Sequence, residues 1–150
     1  VEDTDGEVAS SLPAADLRAG YLAQHDPVLT LTPSELLDDV AATGGDAERA
    51  QGALAEVLGA EGAERIADVP IADLSGGQRK AVLIGEAIGS SRGVLLLDEP
   101  DAHLSADAAA RLAGVLARSD DAILAVAHTP HFGQAWDVPE LRVERPEEDR

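Results

Sequence analysis

Cysteine and methionine are both absent from this chain, and Tyr21, Phe132 and Trp136 are its only aromatic residues. Without cysteine there can be no disulfide and no thiolate metal site, and the redox compartment stays open. With so few rings, the core must rest on Leu, Val and Ile packed against small side chains, of which 28 are alanine. No apolar run approaches the ~20 residues of a membrane span, and no signal peptide is visible. Membrane insertion is therefore not expected, and the cytoplasm is the default location.

Basic residues are scarce too. The chain carries 11 against 29 acidic ones, for a net charge of −18, and Lys80 is its one lysine. Such a surface repels phosphate backbones and anionic lipid, so direct nucleic-acid binding is not expected. An alanine- and aspartate-rich, lysine-poor composition looks like a high-GC or salt-adapted genome, and equally like a well-solvated soluble protein. A phosphate loop is missing as well. The pattern G-x-x-x-x-G-K-[ST] needs a lysine before Ser or Thr, whereas Lys80 precedes Ala81. The glycine pair Gly44-Gly45 leads into Asp46-Ala47-Glu48, which would repel a nucleotide. An opening on Val1 fits a fragment or an excised domain.

At 150 residues, one core of ordinary size can be buried. Asp5-Gly6 signals a turn, and 17–24 reads as a strand ending in the polar Gln24. Thr32-Pro33-Ser34-Glu35 combines a Thr cap, Pro at the first helical position and Glu three residues after the cap, a strong helix start. That helix carries Leu36, Leu37 and Val40 and ends at Gly44-Gly45. Asp46 can cap a second helix with Ala50, Leu54, Val57 and Leu58 on one face. A third helix is predicted over 77–88, with a turn at 89–93. The runs 94–97 and 122–127 are continuously apolar, as strands buried on both faces of a parallel sheet would be. Between them Ser105 can cap a helix whose Leu112, Val115 and Leu116 face inward. The result is a strand–helix–strand crossover of the α/β type. The stretch 141–144 reads as a last strand, and 145–150 as a solvated tail.

Two places concentrate chemistry. Asp98 and Glu99 end an apolar strand, where α/β sheets put their ligand sites. Adjacent carboxylates there are costly unless a cation or a reaction uses them; the bland alternative is a strand end with solvated acids. Ser75-Gly76-Gly77 opens a helix whose unpaired N–H groups favour an anion, although a Ser-capped helix with a flexible lead-in is common.

Taken together, Leu74-Ser75-Gly76-Gly77-Gln78 and, twenty residues on, Val94-Leu95-Leu96-Leu97-Asp98-Glu99-Pro100 resemble the ATP-binding cassette (ABC) ATPases. Their signature motif reads LSGGQ and their Walker B strand ends in DEP. The resemblance runs from about Gly6 to Phe132. It implies a P-loop NTPase-type α/β core, mostly parallel, with an inserted α-helical subdomain. The Walker A strand and helix are missing from this chain. The implied division is core and Q-loop over 1–28, helical subdomain over 29–73, core with signature, Walker B, D-loop and switch histidine over 74–144, and tail over 145–150.

The resemblance also implies ATP and Mg²⁺ as cofactors and a cycle of MgATP binding and hydrolysis powering transport or remodelling. Asp98 would coordinate Mg²⁺ and Glu99 would activate water. Gln24 resembles the Q-loop glutamine that reaches Mg²⁺ and the water, and His128 the switch histidine that contacts the γ-phosphate. Ser75, Gly76, Gly77 and Gln78 would close over nucleotide held by a partner, which implies a head-to-tail dimer with a second cassette. A transmembrane subunit would meet the helical subdomain. His103 occupies the D-loop, while His25 and His131 read as surface residues. Alone and without Walker A, the chain is expected to be inactive.

Departures from the family pattern are Ser105 for the D-loop Asp, Ala81 and Glu86 for arginines, and Asp101-Ala102 for Thr-Asn. A degenerate, non-hydrolysing interaction module is the alternative these favour. A chromosome-maintenance or DNA-repair ATPase is a further alternative, which adjoining heptads would support; none is seen. The short span of eighteen residues from Gly6 to Gln24, with Ala102-His103-Leu104, leans toward the soluble translation-factor branch, ABC-F.

Overall fold

The computed structural model describes residues 16–23, 29–127, 129 and 132. The expectations for Asp5-Gly6, Gln24, His25, His128, His131, the stretch 141–144 and the tail lie outside the described residues.

Most of the α-helices begin where a side chain can take up amides that the first turn leaves unpaired. Helix α1 (Pro33–Ala42) starts in a reciprocal box: the Glu35 N–H donates to Thr32 Oγ1 at 3.2 Å, and the Thr32 N–H donates to Glu35 Oε2 at 2.8 Å. Asp46 caps α2 (Ala47–Leu58) by accepting from the Arg49 N–H at 2.9 Å. Gly59 separates α2 from the short α3 (Ala60–Ile66). A 3₁₀ turn, Ile71–Asp73, leads to α4 (Gly76–Ser90), and Ser105 caps α5 (Ala106–Ala117).

Helix α4 runs past its expected end. Gly89 and Ser90, which read as a turn, are helical. Gly89 is there for contact: a Cβ on it would lie 2.6 Å from Ala50 Cβ and 2.7 Å from the Asp46 carbonyl oxygen, so α2 can rest on α4 only where that atom is missing. On another side of the same helix, a Cβ on Gly20 would meet the Ala87 carbonyl oxygen at 1.9 Å. Nine residues of α4, from Lys80 to Gly89, are buried.

Among the described residues, three parallel strands lie in the order β1 (Arg18–Leu22), β2 (Gly93–Asp98), β3 (Ala122–Val126). The register pairs Gly20 with Leu95, Leu22 with Leu97 and Asp98 with Val126. The crossover through α5 is as expected. Burial on both faces is not. Leu22, Leu95 and Leu97 join one hydrophobic cluster with residues of α2, α4 and α5. The opposite face leaves Tyr21, Leu124 and Val126 at 61%, 58% and 53% exposure. An unbroken apolar run therefore marks strands with two apolar faces, but among the described residues only one of them is covered.

At the amino-terminal end of the sheet, one carboxylate ties four segments together. Asp121 accepts from Arg49 Nη2 at 2.5 Å, from Ser91 Oγ at 2.7 Å and from the Gly93 N–H at 2.6 Å. Its side chain is 6% exposed. Burial by itself would raise the pKa of this carboxyl, but the hydrogen bonds from Arg49, Ser91 and Gly93 outweigh it and hold it below the ordinary carboxylate range.

Asp121→Ala strands a guanidinium and an amide, and is expected to lower stability by about 2–3 kcal/mol in denaturant titrations. Because the folded carboxyl is the stronger acid, its contribution is complete above about pH 5 and is lost as pH falls below about 4. The gap between wild type and variant should therefore narrow on acidification; a widening gap would contradict this reading. Gly20→Ala, which drives Cβ into the backbone of α4, is expected to cost about 3 kcal/mol or more by the same measurement.

Candidate functional site

Strand β2 delivers Asp98 to the carboxyl end of the sheet, and the chain then turns sharply. The Glu99 N–H donates to the Val126 carbonyl oxygen at 2.7 Å, which extends the β2–β3 ladder by one bond. Glu99 itself takes φ +50°, the left-handed region. Buried Pro100 follows, and the Ala102 N–H closes a tight turn on the Glu99 carbonyl at 3.1 Å. A second left-handed residue, His103 at φ +66°, redirects the chain into the Ser105 cap of α5. Left-handed backbone costs a side-chain-bearing residue about 1–2 kcal/mol, and two within five residues hold the carboxylate pair in an enforced turn.

The other candidate element is the start of α4. Ser75 Oγ accepts from the Gln78 N–H at 3.3 Å, and Gln78 Oε1 accepts from the Ser75 N–H at 3.1 Å. This box leaves the N–H groups of Gly76 and Gly77 with no acceptor among the described residues. Arg79 stiffens the approach, donating through Nε to the Ile71 carbonyl at 3.2 Å and through Nη2 to the carbonyls of Ala72 and Leu74 at 3.0 and 3.2 Å.

Structure brings the two elements together at one point. A Cβ on Gly77 would sit 2.8 Å from the His103 carbonyl oxygen, and one on Gly76 would lie 3.5 Å from the His103 imidazole Cγ. Sequence reasoning placed His103 in the D-loop but assigned it no contact, because residues 26 and 27 positions apart signal nothing by spacing. Gln24 and His128 lie outside the described residues; β1 ends at Leu22 and β3 at Val126, each two residues short of them.

Metal chemistry can be tested on the donors present. Among the described residues no three His, Asp or Glu side chains converge to hold an ion by themselves. Mg²⁺ does not ask for that: it keeps waters and takes one or two carboxylates plus phosphate oxygens. Asp98 and Glu99 fit such a phosphate-bridged ion and would not form a protein cage. Two clefts, of about 550 and 200 Å³, are lined by Arg18, Arg92 and Asp121 and by Gly52, Val115 and Arg118; neither borders this pair.

Departures from the family pattern cause no local damage. Ser105 accepts from the Ala108 N–H at 3.2 Å, a cap that Asp would supply equally. Ala81 is fully buried. Burial raises the Glu86 carboxyl above its ordinary pKa, and a hydrogen bond from Ser90 Oγ offsets part of the rise.

Comparison with known proteins gives a consistent picture. The family model described as "ABC transporter" matches residues 2–102. The zinc import ATP-binding protein ZnuC of Pseudomonas fluorescens is 35% identical over 123 residues, covering 77% of this chain and 45% of that protein. The energy-dependent translational throttle protein EttA of Mycobacterium tuberculosis is 44% identical over 66 residues, covering 44% of this chain and 12% of that one. Two dimeric structures of the ATP-binding cassette MJ0796, one in a post-hydrolysis state bound to ADP and Pi, superpose with a TM-score of 0.67 at 20% identity. They cover 80% and 83% of this chain and 56% and 61% of theirs. The chain thus spans less than half the length of the zinc import relative it matches. EttA supports the translation-factor lean only weakly, since its match is short. The extent of the family match, together with the parallel sheet ending in Asp98-Glu99 and the capped Leu74–Gln78 turn, establishes that this chain belongs to the ABC transporter family of ATP-binding proteins.

Proposed function

We propose that this chain is the distal part of an ABC ATPase cassette that binds and hydrolyses MgATP in a head-to-tail dimer with a second cassette. The observation that carries the reading is the enforced turn after β2, which sets two adjacent carboxylates at the carboxyl end of a parallel sheet beside a capped, glycine-opened helix. Bound MgATP supplies the phosphoryl group and the cation that draws off its charge. Asp98 offers that cation a carboxylate oxygen. Glu99 accepts a hydrogen bond from the attacking water, orients it and holds its proton. Gln24 and His128 are proposed to complete this half of the site. The N–H groups of Gly76 and Gly77, with Ser75 and Gln78, meet the phosphates bound to the partner cassette. Residues 29–73 form the helical subdomain through which a transmembrane subunit would be driven, and the cytoplasm is its proposed location.

Two further facts support the reading. The sheet's open apolar face, at Tyr21, Leu124 and Val126, is what a sheet has before a further strand and helix cover it. The chain covers only 56% and 61% of the solved cassettes it superposes on. No helix among the described residues is long and apolar enough to cross a membrane. The second reading, a non-hydrolysing module, draws on Ala81 and Glu86, which stand where the family carries arginines.

The 150-residue chain titrated calorimetrically with MgATP should bind more weakly than about 1 mM, because its sequence holds no phosphate loop; micromolar affinity would overturn this. Fused in frame to a strand–loop–helix unit carrying G-x-x-x-x-G-K-[ST], as sequenced from the source DNA, it should hydrolyse MgATP. There Glu99→Gln is expected to lower turnover by about 10²–10⁴-fold while nucleotide still binds. A source gene without that motif would favour the non-hydrolysing module.

A further inference from the structure

The end of the sheet remote from the carboxylate pair gathers positive charge in a chain that has little of it. Of ten arginines, three line one cleft of about 550 Å³ there: Arg18, Arg49 and Arg92. Two of them stand face to face. The Arg18 N–H donates to the Arg92 carbonyl at 2.9 Å, and the Arg92 N–H donates to the Arg18 carbonyl at 2.7 Å. This is an antiparallel bridge at the start of β1 and just ahead of β2. Residues paired in this way carry their side chains on the same face, and like charges directly opposite repel.

The described residues do little to answer that repulsion. Arg18 spends Nη1 on the Thr43 carbonyl at 2.8 Å, a neutral acceptor at the carboxyl end of α1. Arg92 is exposed, and among the described residues its guanidinium makes no hydrogen bond and no ion pair. The acids of the cleft are mostly committed. Asp121 holds Arg49, Ser91 Oγ and the Gly93 N–H, and Asp46 caps α2. That leaves Asp120, one carboxylate beside two unneutralised guanidiniums.

We propose that this cleft is an anion site that takes a small phosphate monoester, with its oxygens held by Arg18 and Arg92. A guanidinium presents paired N–H donors that match phosphate oxygens two at a time, and two guanidiniums balance a phosphate dianion. A cleft of this size accommodates a small molecule. The net charge of −18 decides against larger sources of phosphate. A nucleic acid or an anionic lipid surface would meet the acidic surroundings, whereas a small anion meets the cleft alone. Arg49, locked to Asp121, keeps the wall between α2 and the strands in place. Arg18 and Gly93 are paired at the starts of their strands, and Asp98 ends β2. The site is therefore separate from the carboxylate pair and does not rest on the ABC reading.

Inorganic phosphate is the probe, and no part of the test reads nucleotide turnover. Titrated into the 150-residue chain at constant ionic strength, it should shift the backbone amide signals of Arg18, Arg92 and Gly93 saturably, with a Kd of about 1–10 mM. Arg92→Gln breaks no bond among the described residues, so the fold should stand while affinity falls about tenfold. Arg18→Gln should weaken binding similarly. Arg65→Gln, an equal change of charge on α3, should leave the affinity within about twofold of wild type. Acetate, with a single charge, should bind about tenfold more weakly than phosphate. A short DNA strand and vesicles containing an anionic phospholipid should not displace the phosphate. Shifts that never saturate would mark an adventitious ion only and overturn the proposal. So would an affinity unchanged in Arg92→Gln, acetate binding as tightly as phosphate, or displacement by the DNA or the vesicles.

Discussion

Close approach of backbones to helix α4 is the constraint on which the rest of this structure depends. Buried at nine positions between Lys80 and Gly89, α4 touches α2 on one side and β1 on another, in each case where a glycine leaves out a side chain. A protein poor in aromatic residues has little large apolar surface to bury per residue, so it must gain contact by bringing elements nearer. Alanine and glycine make that approach possible, and Leu54, Leu83, Ile84, Leu95 and Leu112 fill what remains. The composition that looks unpromising for a core is thus matched to a particular way of building one.

From that axis the candidate site follows. The amino end of α4 is the capped signature turn, and its carboxyl end hands the chain to β2, which carries Asp98 and Glu99 to the opposite end of the sheet. One helix and one strand therefore set the separation of the two candidate elements, and the His103 turn rests against the start of α4. At the far end, Asp121 with Arg49, Ser91 and Gly93 anchors α2, the end of α4 and the starts of β2 and β3. Paired and hydrogen-bonded in this way, a buried carboxylate adds specificity to the register of elements that apolar packing alone would allow to slide.

Much of this was legible in the chain. The caps at Thr32, Asp46, Ser75 and Ser105 are local chemistry, resolved within four residues, and each stands where the spacing predicts. The crossover through α5 was legible because two apolar runs flank an amphipathic one. Gly89 misled, since a glycine needed for packing and a glycine needed for turning look the same in sequence. The apolar runs misled in part too: they report how apolar a strand is, and say nothing of whether a covering layer is present.

By itself the sequence determined most of the element types, the parallel connection and the family, since each is encoded by residues adjacent or nearly adjacent in the chain. Only the tertiary structure decided that Gly76 and Gly77 seat His103, that Asp121 gathers four segments and that one sheet face stands open among the described residues. Those facts depend on which surfaces come within a few ångströms across dozens of residues. That is a property of packing, and no local pattern carries it.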